Sequence, residues 1–361
     1  MVNPVQAHYQ NYPYPHYPLF ASVRRCDTYA LNLHALWGRF NHALPPAEAK
    51  NILIAGCGTF APYPWSVANP EVPITALDLS GRSLRRARMH CLLHGRRNIV
   101  YRCGDLSDQA AVDGAFGLID AYGVLHHLPD PLEGLQALAC RLVPGGILRI
   151  MVYSRYARRE EESIRRAFRL LNIDSPGLAL KMLRRAAPES RLASYRDASD
   201  EATTRSGLAD ALLHPSVRSY RIDELLEMVA QAGLELRMFA HHGACENPVE
   251  EVERLRGMEL ERRSPGNFVA YLGKRVPAPA PEHGDSMIML NPCLESAVSR
   301  FTLGTLTIPA RIGIENPGLT YRDRSFLRRF ATPVNSRDLS PDDAIRVAVY
   351  KRCLFLVDYQ T

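Results

Sequence analysis

The stretch NILIAGCGTF, residues 51–60, decides how the rest of this chain is read. Strand-forming residues from Ile52 to Ala55 run into a glycine pair, Gly56 and Gly58, and the segment stops at Phe60. A residue with no side chain lets a ligand approach the main chain and lets a turn take positive φ. A tight turn needs glycine in any case, so the pair alone does not identify a ligand.

Outward from that stretch, strand and helix alternate. APYPWSVAN reads as a short helix closed by Asn69 before Pro70, and VPITALDLS as a second strand. Ser80 can cap a helix that puts Leu84, Ala87, Cys91 and Leu92 on one face and ends at Gly95. NIVYRCGDL, FGLIDAYGVL and GGILRIMVYS read as third, fourth and fifth strands, with LEGLQALACRLV as a helix before the last. Strands separated by helices imply a parallel sheet covered on both faces.

Polar residues recur where such strands end, which is where open α/β sheets bind ligands. Asp78 ends the second strand. It can accept hydrogen bonds from both hydroxyls of a ribose, or it can cap the helix before Ser80. Asp105 follows the third strand and can meet an adenine amino group or serve in a turn. Together with the glycines these point to a nucleoside site. Two ligand classes compete, a dinucleotide and S-adenosylmethionine. The dinucleotide fingerprint wants a third glycine where Ala61 stands, though alanine is sometimes allowed there, and the spacing to Asp78 does not separate the two.

NILIAGCGTF, VPITALDLS, YRCGDL, FGLIDAYGVLHHLPDP and LVPGGILRIMVYS, in that order, resemble the class I S-adenosylmethionine-dependent methyltransferases. The similarity is good over residues 50–153 and looser to 274. It implies a Rossmann-like α/β fold with a seven-stranded, mostly parallel sheet, and S-adenosyl-L-methionine as cofactor. Carried over by position, it implies that Gly56 and Gly58, with Ala55 and Cys57 supplying backbone, pass the methionine part. Asp78 would hold the ribose, Leu79 would flank the adenine, and Asp105 with Leu106 would face its edge. The family usually has a third glycine where Phe60 stands and often an acid where Gly117 stands. Proline at 62 and 64 suits a helix's first turn, so Phe60 is expected at the helix start with its side chain pointing away.

Methyl transfer from a sulfonium is an in-line displacement in which the protein supplies alignment. An oxygen acceptor also needs a base, and His126 and His127 follow the fourth strand, where they serve either as base or as loop-organising residues. Tyr12, Tyr14 and Tyr17 form a lid over the cofactor or lie buried as simple aromatics, and Tyr122, Tyr153 and His214 sit in similar two-sided positions. The family's amine methyltransferases carry an Asn/Asp-Pro-Pro-aromatic tetrad after the fourth strand. Here that text is AYGVL, which disfavours planar amines. The expected function is methyl transfer to a small molecule. The alternatives are an RNA or protein methyltransferase, with nucleic acid as partner, a non-catalytic cofactor-binding scaffold, and a nicotinamide dehydrogenase.

Composition bounds the rest. The chain has 361 residues, 46% hydrophobic and 23% charged, without the roughly 20-residue apolar run of a membrane span or a leader pattern. Its 8 cysteines form no CxxC, which argues against disulfides and zinc and for the reducing cytoplasm. The formal charge is +6, and arginine supplies all but 4 of the 44 basic residues. The arginines are spread along the chain, so no nucleic-acid arm stands out.

Five parts are expected. Residues 1–49 hold a tyrosine- and proline-rich strap, extended rather than helical, and a helix over 29–44. Residues 50–275 form the methyltransferase-like domain with a helical insertion at about 155–213. A linker follows at 276–284, and a small C-terminal α/β module at 285–361. Within the last, RFTLGTLTIPARIGI has strand character, and the helix capped by Ser340 should turn Ile345, Ala348, Val349, Cys353 and Leu356 inward.

Overall fold

The computed structural model describes residues 3–274, 286–300 and 304–360. It opens with a helix where composition argues for an extended strap. α1 spans Pro4–Asn11, and the Asn3 side chain accepts from the N–H groups of Val5 and Gln6. Proline tolerates the first helical position and asparagine caps well. The prolines that stop a helix, Pro13, Pro15 and Pro18, all lie beyond its end. An irregular strap follows, then α2, Leu33–Asn41.

The alternating region comes next: β1 Ile52–Ala55, α3 Pro62–Ala68, β2 Ile74–Asp78, α4 Gly81–Leu93, β3 Ile99–Cys103, β4 Phe116–Tyr122, α5 Pro131–Cys140 and β5 Leu142–Val152. Four insertion helices follow, α6 Arg159–Leu170, α7 Pro176–Arg184, α8 Arg191–Ala198 and α9 Arg205–Leu213. Then come α10 Ile222–Gln231, β6 Glu235–Phe239, α11 Pro248–Leu260 and β7 Phe268–Gly273. The chain closes with β8 Ser286–Leu290, α12 Glu295–Ser299, α13 Tyr321–Arg328, β9 Val334–Asn335, α14 Pro341–Arg352 and β10 Leu356–Gln360.

The main sheet has seven strands in the order β3-β2-β1-β4-β5-β7-β6, with β7 antiparallel to both neighbours and the β3-to-β5 pairs parallel. Both faces are dry. Ile52 and Ile54 of β1 join the core on one face, and Leu53 and Ala55 join the core on the other. That alternation is the period of two of a strand buried on both sides. The insertion helices keep a smaller core of their own around Phe168, Leu183, Tyr195 and Leu208. A second, three-stranded antiparallel sheet, β10-β8-β9, shares the core on the Ile52 face with α2.

Gly117 has a packing reason. A Cβ there would stand 2.0 Å from the Ala49 carbonyl oxygen, so the acid often found at this position cannot fit. Other expectations need correction. In α4, Leu92 is 56% exposed and the inward residues are Leu84, Ala87, His90 and Cys91. In α14, Ile345 and Val349 face solvent, and Val347 and Tyr350 are buried. Tyr350 sets that rotation, packing beside Phe326 and Phe355 and donating from its hydroxyl to Asp323 at 2.9 Å. The helix stops at Arg352, and Leu356 opens β10 instead of extending it. The stretch at 300–314 makes no strand among its described residues, only a bridge from Leu306 to Leu319, and Pro309 lacks the N–H a ladder needs. The expected linker at 276–284 lies outside the described residues.

Candidate functional site

The carboxyl ends of β1, β2 and β4 open into a cavity of about 380 Å³. Gly56, Cys57, Gly58, Asp78, Leu79, Asp105 and Leu106 all line it, so the glycine turn and both carboxylates share one space. Ala55 does not. It is buried at the end of β1 within the core.

Asp78 is the best-held of these groups. One carboxylate oxygen accepts from the Gly58 N–H at 2.7 Å and the other from the Ser80 N–H at 2.8 Å. Burial pushes its pKa up to about 6, while the two N–H groups pull the other way. Each oxygen keeps a free lone pair. Asp105 accepts from the Ser107 N–H at 3.0 Å through one oxygen.

The strap closes this end. The Tyr14 carbonyl accepts from the Thr59 N–H at 3.2 Å, and the Thr59 hydroxyl donates to the Pro15 carbonyl. Gly58 has φ +56°, and a Cβ on it would lie 2.6 Å from the Tyr14 oxygen. Part of the close approach that glycine permits is therefore used by the chain's own strap. Phe60 does not point away. It lines the cavity and meets the Tyr17 ring at 4.3 Å. Tyr14 and Tyr17 border the cavity, whereas Tyr12 packs against His8 outside it.

The two histidines separate. His126 is fully buried against the Tyr153 ring at 3.7 Å, and both its ring nitrogens lack partners. His127 lines the cavity, and its Nδ1 lies 2.9 Å from the Ser216 carbonyl. A carbonyl can only accept, so Nδ1 carries the proton and Nε2 presents a lone pair. Burial lowers the His127 pKa to about 4, leaving the ring neutral near pH 7. The His214 ring lies against it at 3.8 Å, tilted by 32°, and burial lowers its pKa as well.

Several lining residues escape motif reading. Tyr9 donates to Asp210 at 2.8 Å, and Asp210 is buried with its pKa pushed up to about 6 by desolvation. Arg158 sits 4.2 Å over the Tyr153 ring and pairs with Glu161 and Glu201. Asp120 binds Arg149 at 2.7 Å and the Trp65 indole N–H at 2.9 Å. A signal exists for some of these. Asp120 in FGLIDAY, Arg149 in GILRIMV and Asp210 in GLADALL are charges set in apolar runs, and buried charges seldom stand alone.

Among known proteins, residues 53–150 match the family model described as a methyltransferase domain. An uncharacterized protein from Synechococcus sp. is 30% identical over 255 residues, 65% of this chain and 59% of that protein. A ubiquinone biosynthesis O-methyltransferase from Chromobacterium violaceum is 34% identical over 110 residues, 30% of this chain and 47% of that one. The chain thus spans between 47% and 59% of the length of these two relatives. The solved structure of PKMT2 from Rickettsia typhi superposes with a TM-score of 0.54 at 14% identity, over 95% of this chain and 77% of that one, which is a likeness of fold.

Proposed function

We propose that this chain, whose residues 53–150 match a methyltransferase domain, is a class I S-adenosylmethionine-dependent methyltransferase that transfers a methyl group to an oxygen atom of a small-molecule acceptor. The observation that carries the reading is the convergence of Gly56, Asp78 and Asp105 on one cavity. The residues suit the cofactor. Asp78 is held by two backbone N–H groups and keeps lone pairs for two ribose hydroxyls. Leu79 and Leu106 offer apolar surface for an adenine, and Asp105 has an oxygen left for its amino group.

When bound, S-adenosylmethionine supplies a methyl group on a positively charged sulfur, open to in-line displacement. The chain's task is alignment, exclusion of water and removal of one proton. Val5, Tyr14, Leu128 and Tyr153 supply largely apolar walls. The neutral His127 offers Nε2 to take a proton from an acceptor hydroxyl as its oxygen becomes nucleophilic, and the Ser216 carbonyl fixes the ring. His126 has no access to the cavity and is a packing residue in this reading. The Chromobacterium relative is named as an O-methyltransferase, which is consistent with an oxygen acceptor.

Calorimetry with S-adenosylmethionine and S-adenosylhomocysteine tests the cofactor half. One-to-one binding in the micromolar range, strongly weakened in Asp78→Ala, is expected. No heat with either ligand overturns the proposal. His127→Gln should then keep product affinity while losing methyl transfer across a panel of phenolic and carboxylic acceptors.

A further inference from the structure

The insertion carries a second cavity of about 430 Å³, away from the strand tips, lined by Arg159, Arg165, Arg166 and Arg169 with Glu162, and bordered by Val217. Its volume lies in the range of small-molecule sites. The charge around it is one-sided. Glu162, the single carboxylate on its wall, already accepts from the Ser219 hydroxyl.

Three other arginines of the insertion are matched by acids: Arg155 with Glu224, Arg158 with Glu161 and Glu201, and Arg196 with Asp197. Among the described residues, none of the four cavity arginines has an ion pair. Arg159, Arg166 and Arg169 are exposed, so water can serve them. Arg165 is different. It is only 8% exposed, and its Nε and Nη2 are buried without any hydrogen-bond partner. A buried guanidinium with unused donors is costly, and chains seldom keep one without an anion to meet it. Burial lowers the Arg165 pKa, and the nearby Tyr153, Asp210 and Glu162 offset that only in part.

We propose that this cavity binds a phosphoryl group, gripped by Arg165 from inside and by Arg166 and Arg169 at the rim. Guanidinium forks pair with phosphate oxygens two at a time, and several forks around one hole suit an oxyanion with three or more oxygens better than a carboxylate with two. The site borders the loop that holds the first cavity. Val217 follows Ser216, whose carbonyl fixes His127. The inference does not depend on methyl transfer.

The test uses the full chain, titrated with inorganic phosphate and separately with phenyl phosphate at ionic strength held constant with NaCl, read by calorimetry and thermal unfolding. Saturable heat and a raised Tm are expected with at least one probe. The Arg166→Gln/Arg169→Gln double variant, changed only at exposed positions, should weaken binding at least tenfold while keeping the ligand-free Tm and circular dichroism. Equal affinity for both probes identifies the free anion as the ligand, and tighter phenyl phosphate binding identifies a phosphate ester. Absence of heat with both probes, or unchanged affinity in the double variant, overturns the proposal.

Discussion

The cavity at the strand tips has two unlike halves. On the β1–β2 side the polar groups are held by backbone: Asp78 by the Gly58 and Ser80 N–H groups, Asp105 by that of Ser107, and Tyr14 by that of Thr59. On the insertion side Tyr9 is held by another side chain, Asp210, and His127 by the Ser216 carbonyl. Behind that wall, His8 Nε2, His214 Nε2 and both nitrogens of His126 have no hydrogen-bond partner. A half built on backbone is fixed once the fold forms. A half built on side chains from α1, α9 and the loop after it can vary with the acceptor and leave the fold untouched.

The strongest way to break this contrast is Asp78→Ala. Losing two charge-assisted hydrogen bonds to a ribose costs about 3 kcal/mol, so S-adenosylhomocysteine affinity should fall by about a hundredfold in calorimetry. His127→Ala should leave that affinity within about threefold. Comparable losses in both variants would erase the division.

Tyr9→Phe probes the other half. It leaves Asp210 buried without its 2.8 Å donor, which should lower stability by about 1–3 kcal/mol in chemical denaturation. Product affinity should stay unchanged. A variant as stable as the parent would mean that Asp210 finds another partner.

The pH dependence sharpens the comparison. In the proposed cofactor site the ionised Asp78 is the form that accepts hydrogen bonds from both ribose hydroxyls, and burial raises its pKa to about 6. Product affinity should therefore weaken as pH falls below 6, approaching about tenfold per unit, and stay flat in Asp78→Asn. The stability linkage has the opposite sign. A carboxyl raised above its unfolded value binds its proton more tightly when folded, so the Asp78 contribution improves as pH falls from about 6 towards 3.8. His8 and His127, lowered to about 4, work the other way, and their contribution is lost as pH falls from 6.5 to 4. Denaturation midpoints of parent and Asp78→Asn across that range separate the two.

Phe60→Gly should have the smallest effect. It removes the contact with Tyr17, worth about 0.5–1.5 kcal/mol, with only a few-fold change in product affinity.

The two halves also differ in how far the sequence exposes them. The backbone-held half follows local grammar: a strand, a glycine turn, an acid at the next strand's end. The sheet was legible for the same reason, because alternation and buried-strand runs are short-range signals. Tyr9 and Asp210 are 201 positions apart and meet only through packing of α1 on the insertion, which no window of sequence contains. The inward face of α14 was misread for a related cause. Its apolar residues suggest one stripe, but Tyr350 anchors another through partners on α13 and at Phe355. Phe60 was misplaced because its neighbour Tyr17 comes from the strap, whose course proline content alone does not fix.

The bond from Thr59 to Tyr14 makes a cavity wall out of residues that precede the sheet. Occupancy and the order of that leading segment are then thermodynamically linked. A molecule seated against Tyr14 and Tyr17 should therefore order the segment further. Amide protons at positions 7 to 12 should exchange more slowly when the space is filled, which makes the first turns of the chain a built-in gauge for any compound that occupies it.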